Sequence, residues 1–252
     1  GCAEYGTRRA MPLQSPYESR RVWAVAPMRN ESGSSYVDGT LVADHFAQQL
    51  ENAALIDVLP VNRVLEAMAR MNLREITTAS QARELMYVLG ADSLVVGSVT
   101  SYDPYDPPKL GIALDLYNDP EQRRGEPVDV RWLSRATTGD SVGVHPPRLE
   151  GPVTAISGFF NASDPDVRAM LQSYGHERGT IDRNDGDFLR KLERFSKGTG
   201  AVYTDDTTWR YYRMSMDLYT EFVSYVMSLR LLYAETQRMR TVTDEKNDDS
   251  IR

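Results

Sequence analysis

The 252-residue chain predicts a mixed α/β sheet with helices packed on it, continued by a helical C-terminal extension. Three observations carry this. Apolar strands and amphipathic helices alternate over residues 21–90. Strands then follow one another from residue 91 to 162 with no helix between them, which predicts antiparallel pairing there. From residue 163 onward the apolar spacing is helical.

Taken in order, residues 3–20 (AEYGTRRAMPLQSPYESR) lack periodicity and mix proline, serine and charge, which reads as a tether. RVWAVAPM (21–28) is a short apolar strand. Asp38 can cap a helix in which Val42, Phe46, Leu50 and Ala53 share a face. LIDVLP (55–60) is a second strand, stopped by Pro60. Asn62 is positioned to cap a short helix with Val64, Leu65, Met68 and Met71 inward. Thr78 and Gln81 have capping-box spacing, and Gly90 sits where a helix ends on glycine. Between them Ala82, Leu85, Met86 and Leu89 form the apolar face.

ADSLVVGSVTSY (91–102) is nearly continuous in apolar character, as expected of a strand covered on both faces. In LGIALDLY (110–117), Leu110, Ile112, Leu114 and Leu116 alternate onto one side. VDVRWL (128–133) and PVTAISGFFNA (152–162) read as further strands. Ser163-Asp164-Pro165-Asp166 signals a helix start, with Val167, Leu171 and Tyr174 on one face. Phe188, Leu189, Leu192 and Phe195 mark another helix. Residues 209–239 read as one long helix, with Trp209, Tyr212, Met216, Tyr219, Val223 and Val226 along one side and a frayed polar tail beyond. The expected organisation is a tether over 1–20, an α/β domain over 21–162, a helical extension over 163–240 and a polar tail over 241–252.

Composition narrows the function. The net charge of -7 and pI near 5.1 repel a phosphate backbone, and no basic stripe compensates, so no nucleic-acid partner is expected. No window approaches the roughly 20 apolar residues of a membrane-spanning helix. His45, His145 and His176 lack metal-type partners three or four residues away, so no metal site is expected. His45 reads as a surface or capping residue. There is no G-x-S-x-G elbow, no phosphate-binding lysine loop and no complete dinucleotide fingerprint. IDRNDGD (181–187) fails the calcium-loop register. No catalytic residue and no cofactor are expected.

Cys2 is the one cysteine, so the fold has no internal disulfide. At a chain end it is poorly placed for a core or for catalysis. Bacterial lipoproteins are cut immediately before a cysteine that then carries lipid, commonly after a small residue. Gly1-Cys2 fits the end of such a signal, and an arbitrary start is the alternative. Cys2 is therefore the candidate lipidation site.

Aromatic residues mark the other candidate region. Tyr102 and Tyr105 punctuate SYDPYDPP, and Trp209, Tyr211, Tyr212 and Tyr219 crowd the C-terminal helix. A helix aromatic on more than one face must bury more than one face. The second face is either covered by the chain's own helices or meets another chain. These six residues are the candidate partner-binding side chains.

The stretches WAVAPMRNESGS, ADHFAQQLENAALIDVLPVNRVLEAMARMNL and LGADSLVVGSVTSYDP resemble the envelope lipoprotein superfamily of the curli-secretion lipoprotein and the penicillin-binding-protein activator lipoproteins (CsgG/LpoB-like). The resemblance covers residues 22–117 and extends toward 162. It implies a three-layer α/β domain of the anticodon-binding-like type, lipid-attached to an envelope membrane and acting by binding. The family's lipidation position maps onto Cys2, and Ala3 after it favours the outer membrane. The charged, proline-broken stretches 117–130 and 134–151 are not expected to line a membrane barrel. Residues 163–240 have no counterpart in the activators. The expected function is that of a non-enzymatic, lipid-anchored subunit of an oligomeric outer-membrane or cell-surface assembly, secretion included. The alternatives are a regulator docking on a peptidoglycan synthase, or a hydrolase whose residues are dispersed.

Overall fold

The computed structural model describes residues 13–118, 151–177 and 208–249. Cys2, the expected strand at 128–133 and the expected helix at 188–195 lie outside these residues. The sheet contains β1 (Arg21–Val25), β2 (Arg29–Asn30), β3 (Ile56–Val58), β4 (Ser93–Asp103), β5 (Lys109–Asn118) and β6 (Thr154–Asn161). Its order is β3-β1-β4-β5-β6, with β2 pairing on β4 beyond the end of β1. β1 lies parallel to β3 and β4, whereas β4, β5 and β6 are mutually antiparallel. The switch comes where helices stop separating the strands, because parallel neighbours need a crossover connection whereas antiparallel ones do not.

Among the described residues six helices flank the sheet: α1 (Gly39–Leu50), α2 (Val61–Arg70), α3 (Ala79–Leu89), α4 (Pro165–Glu177), α5 (Thr208–Met214) and α6 (Met216–Asp249). The strand pleat sorts the core into two. Ala24, Leu94 and Val96 pack with Val64, Met68, Leu85 and Met86 beneath α2 and α3. Trp23, Val25, Val95, Val99 and the alternating Leu110, Ile112, Leu114 and Leu116 pack beneath α1, α4, α5 and α6. The result is helices, sheet and helices in three layers.

Local signals account for several boundaries. Asp38 accepts hydrogen bonds from the Thr40 and Leu41 amides and starts α1. Thr78 and Gln81 form a reciprocal capping box, and Gly90 closes α3 at φ 65°, where a side chain would be strained. α2 begins one residue after Pro60, not at an Asn62 cap, and Leu65 lies at the margin of its buried stripe, 38% exposed.

The expected single helix over 209–239 is two helices. Ser215 breaks the run, and its carbonyl receives the Tyr219 amide at 2.8 Å to begin α6. α6 continues to Asp249, past the expected frayed end. Its middle is buried nearly all round: Tyr219, Phe222, Val223, Val226, Met227, Leu231 and Leu232 are all inside. Small polar residues fit this position by bonding backward, Thr220 to the Met216 carbonyl and Ser228 to that of Ser224. The sheet, α1, α4 and α5 cover Tyr219, Phe222 and most of Tyr225 within the chain, whereas Leu229 and Tyr233 stay exposed.

Candidate functional site

The end of the sheet reached by the C-terminus of β4 gathers most of the sequence-expected aromatics. A register shift between Val99 and Ser101 reverses the alternation of β4. Tyr102 thereby falls opposite Leu110 and packs, partly buried, on the larger core. Its hydroxyl pKa is raised by burial and by the Asp217 carboxylate. Asp217 opens α6 and accepts a 2.8 Å bond from His45 of α1. His45 is thus an inter-helix contact, correcting its reading as a surface or capping residue.

The turn after β4 is braced on both sides. Asp103 accepts from the Tyr105 amide at 3.3 Å and from Lys109 Nζ at 3.0 Å. The Lys109 bond, then the Tyr105 amide, hold the Asp103 carboxyl below its ordinary range. Arg213 of α5 grips Asp106 with two bonds of 2.7 and 3.2 Å. Between these clamps Tyr105 stands 72% exposed. Trp209 and Tyr211 on α5 are half-buried, with the Arg210 guanidinium 5.7 Å from the Trp209 ring centre.

Tyr212 and Tyr219 correct the expectation. Tyr212 is 2% exposed and meets Tyr174 edge-on at 5.1 Å, and Tyr219 is fully buried. Both serve the core, so neither offers a face to a partner. Sequence reading missed Tyr36 (72% exposed), Leu41 (46%) and Met214 (51%), which the β2–α1 loop, the first turn of α1 and the α5–α6 junction place at this end. A tyrosine isolated in the Ser/Gly-rich loop SGSSYVDG was the available signal.

The opposite end carries a buried carboxylate. Glu235 is fully buried, roughly 27 Å along α6 from Asp217 at 1.5 Å per residue. It accepts bonds from Tyr17 Oη at 3.0 Å, Asn118 Nδ2 at 2.9 Å and Thr154 Oγ1 at 3.1 Å. Arg238 adds two at 2.7 Å and supplies the opposite charge. The Tyr17 phenol is pushed far up, by burial first and then by the Glu235 charge. Leu13 and Tyr17, expected in a tether, are buried instead. Leu13 pairs with Ala53, and Tyr17 lies edge-on to Trp23 with the Arg21 guanidinium over its ring.

A cleft of about 500 Å³ between α1 and α2 is lined by Asp44, His45, Glu51 and Asn62 among others. Among the described residues no three His, Cys, Asp or Glu side chains group as metal ligands, and no helix is long and apolar enough to cross a membrane. The described chemistry is that of contact surfaces and polar locks.

No family model and no curated protein matches the chain. Solved structures do. Lipoprotein GNA1162 from Neisseria meningitidis is similar at 15% identity and a TM-score of 0.35, over 73% of this chain and 99% of that one. The LpoB C-terminal domain from Salmonella enterica is similar at 12% and 0.38, over 57% and 84%. The hypothetical protein CT253 from Chlamydia trachomatis is similar at 9% and 0.39, over 85% and 99%. At such low scores no role passes from these proteins to this chain.

Proposed function

We propose that the chain is a non-enzymatic binding subunit of an envelope assembly, anchored to the outer membrane by lipid on Cys2. It engages a second copy or an envelope protein through the end of the sheet bearing Tyr105, Trp209, Tyr211, Tyr36 and Met214. One observation carries the reading. Tyr105 projects 72% exposed from a turn fixed by the Asp103–Lys109 and Asp106–Arg213 pairs. A rigid aromatic held in water gives contact area at small ordering cost, which suits an interface anchor.

The test places a photo-crosslinking residue at position 105, at 209 and, as a control on the far side, at the exposed Tyr87 of α3. In cells with an intact envelope, positions 105 and 209 are expected to yield discrete adducts that position 87 does not. Adducts at multiples of 28.4 kDa identify a homo-oligomer, and other masses a different partner. Equal labelling at all three positions rejects this surface. Separately, Cys2→Ser in the full precursor is expected to abolish membrane association, and unchanged association rejects the anchor.

A further inference from the structure

Glu235 joins three separate parts of the chain. Tyr17 belongs to the strap that precedes β1, Asn118 ends β5, and Thr154 begins β6. The strap is also held by the buried Leu13, whose carbonyl accepts the Ala54 amide at 3.3 Å, and by the Tyr17 ring packed against Trp23 and Arg21. Anything pulling on residues 1–12 acts first on Leu13 and Tyr17.

We propose that Glu235 is a latch that makes docking of residues 13–17 and closure of the β5–β6 end a single two-state event. The physical basis is the cost of a buried charge. With Tyr17 in place the carboxylate is sealed from water and its two oxygens are fully engaged. When the strap lifts, the charge loses one donor and gains access to water. Water then competes for the oxygens that held Asn118 and Thr154, and the β5–β6 end loosens with the strap. Arg238 is 28% exposed and follows the carboxylate outward on the same helix turn. A partner that binds the free strap would therefore be sensed at the β5–β6 end, and one that braces that end would tighten the strap.

Amide hydrogen exchange on the full chain tests this, because three reporters are at hand. The Ala54 amide bonds to Leu13, the Val153 amide bonds to Leu116 at the β5–β6 end, and the Ala82 amide lies at the start of α3 on the far face. Leu13→Ala weakens the strap without touching the carboxylate. The latch predicts that exchange at Ala54 and at Val153 accelerates together, by about tenfold or more, while Ala82 is unchanged. Acceleration confined to Ala54, or equal at all three, overturns it. Glu235→Gln gives a second reading, in which Ala54 and Val153 again accelerate together. Should that variant fail to fold, Tyr17→Phe removes the Tyr17–Glu235 bond and keeps the ring, with the same two outcomes deciding.

Discussion

Arg213 and Asp106 hold each other through two hydrogen bonds, 2.7 and 3.2 Å long, across 107 residues of sequence. This pair ties the β4–β5 turn to α5 and so fixes where Tyr105 and Trp209 stand relative to each other. Asp106 is 61% exposed, so water screens most of the attraction. Asp106→Ala is expected to cost less than about 1 kcal/mol in urea unfolding, and less still at high salt. Crosslinking from position 105 should nevertheless fall clearly, because presentation depends on the turn's geometry. Undiminished crosslinking would separate the turn from the surface.

Gly175 of α4 decides how closely α5 approaches. A methyl group there would lie 2.9 Å from the Trp209 Cα and 3.0 Å from its nitrogen, with backbone unable to yield locally. Gly175→Ala is expected to lower stability by about 1–3 kcal/mol and to displace α5. The check is a denaturant midpoint together with Trp209 fluorescence. A shift in the midpoint without a change in emission would contradict the displacement.

The Tyr219 hydroxyl is buried without a hydrogen-bond partner among the described residues. Burying such a group costs free energy that its removal recovers, provided the ring still packs against Phe222 at 5.8 Å. Tyr219→Phe is therefore expected to be neutral or stabilising by up to about 1 kcal/mol. A clear loss of stability would mean that the hydroxyl has a partner.

Alkaline pH should act on the same residue. Burial raises the Tyr219 phenol above its ordinary value of 10.0. Stability linked to the neutral phenol is complete below that unfolded-state value and is lost as pH rises through the higher folded-state value, because the unfolded chain ionises first. Between about pH 8 and about pH 11, Tyr219→Phe should lose less stability than the unaltered chain. Parallel pH profiles for the two proteins would refute this.

Thr78 serves only its helix. Thr78→Ala removes the bond to the Gln81 amide and is expected to cost about 1 kcal/mol, measured by thermal unfolding, with crosslinking from position 105 unchanged.

Thr78, Gln81 and Gly90 were legible from sequence because the donors and acceptors they use lie within a few residues of them. The two-sided burial of β4 and the one-sided alternation of β5 were legible for the same kind of reason: the pleat converts local order directly into facing. The break at Ser215 was not, since the apolar spacing runs on through it. Nor was the role of His45, whose partner is 172 residues away.

For the six aromatic candidates, the residues themselves required that more than one helix face be covered, and left open what would cover it. Only the tertiary structure placed Tyr212 and Tyr219 under the chain's own elements while leaving Tyr105 in water. Glu235 marks the same boundary more sharply. In AETQR it reads as an ordinary solvated charge, and its burial depends on Tyr17, Asn118 and Thr154 arriving from three other segments. Periodicity and caps are properties of neighbours along the chain, and determined the elements. A buried charge is stable only where distant donors converge, and that convergence exists only once the sheet and α6 have packed.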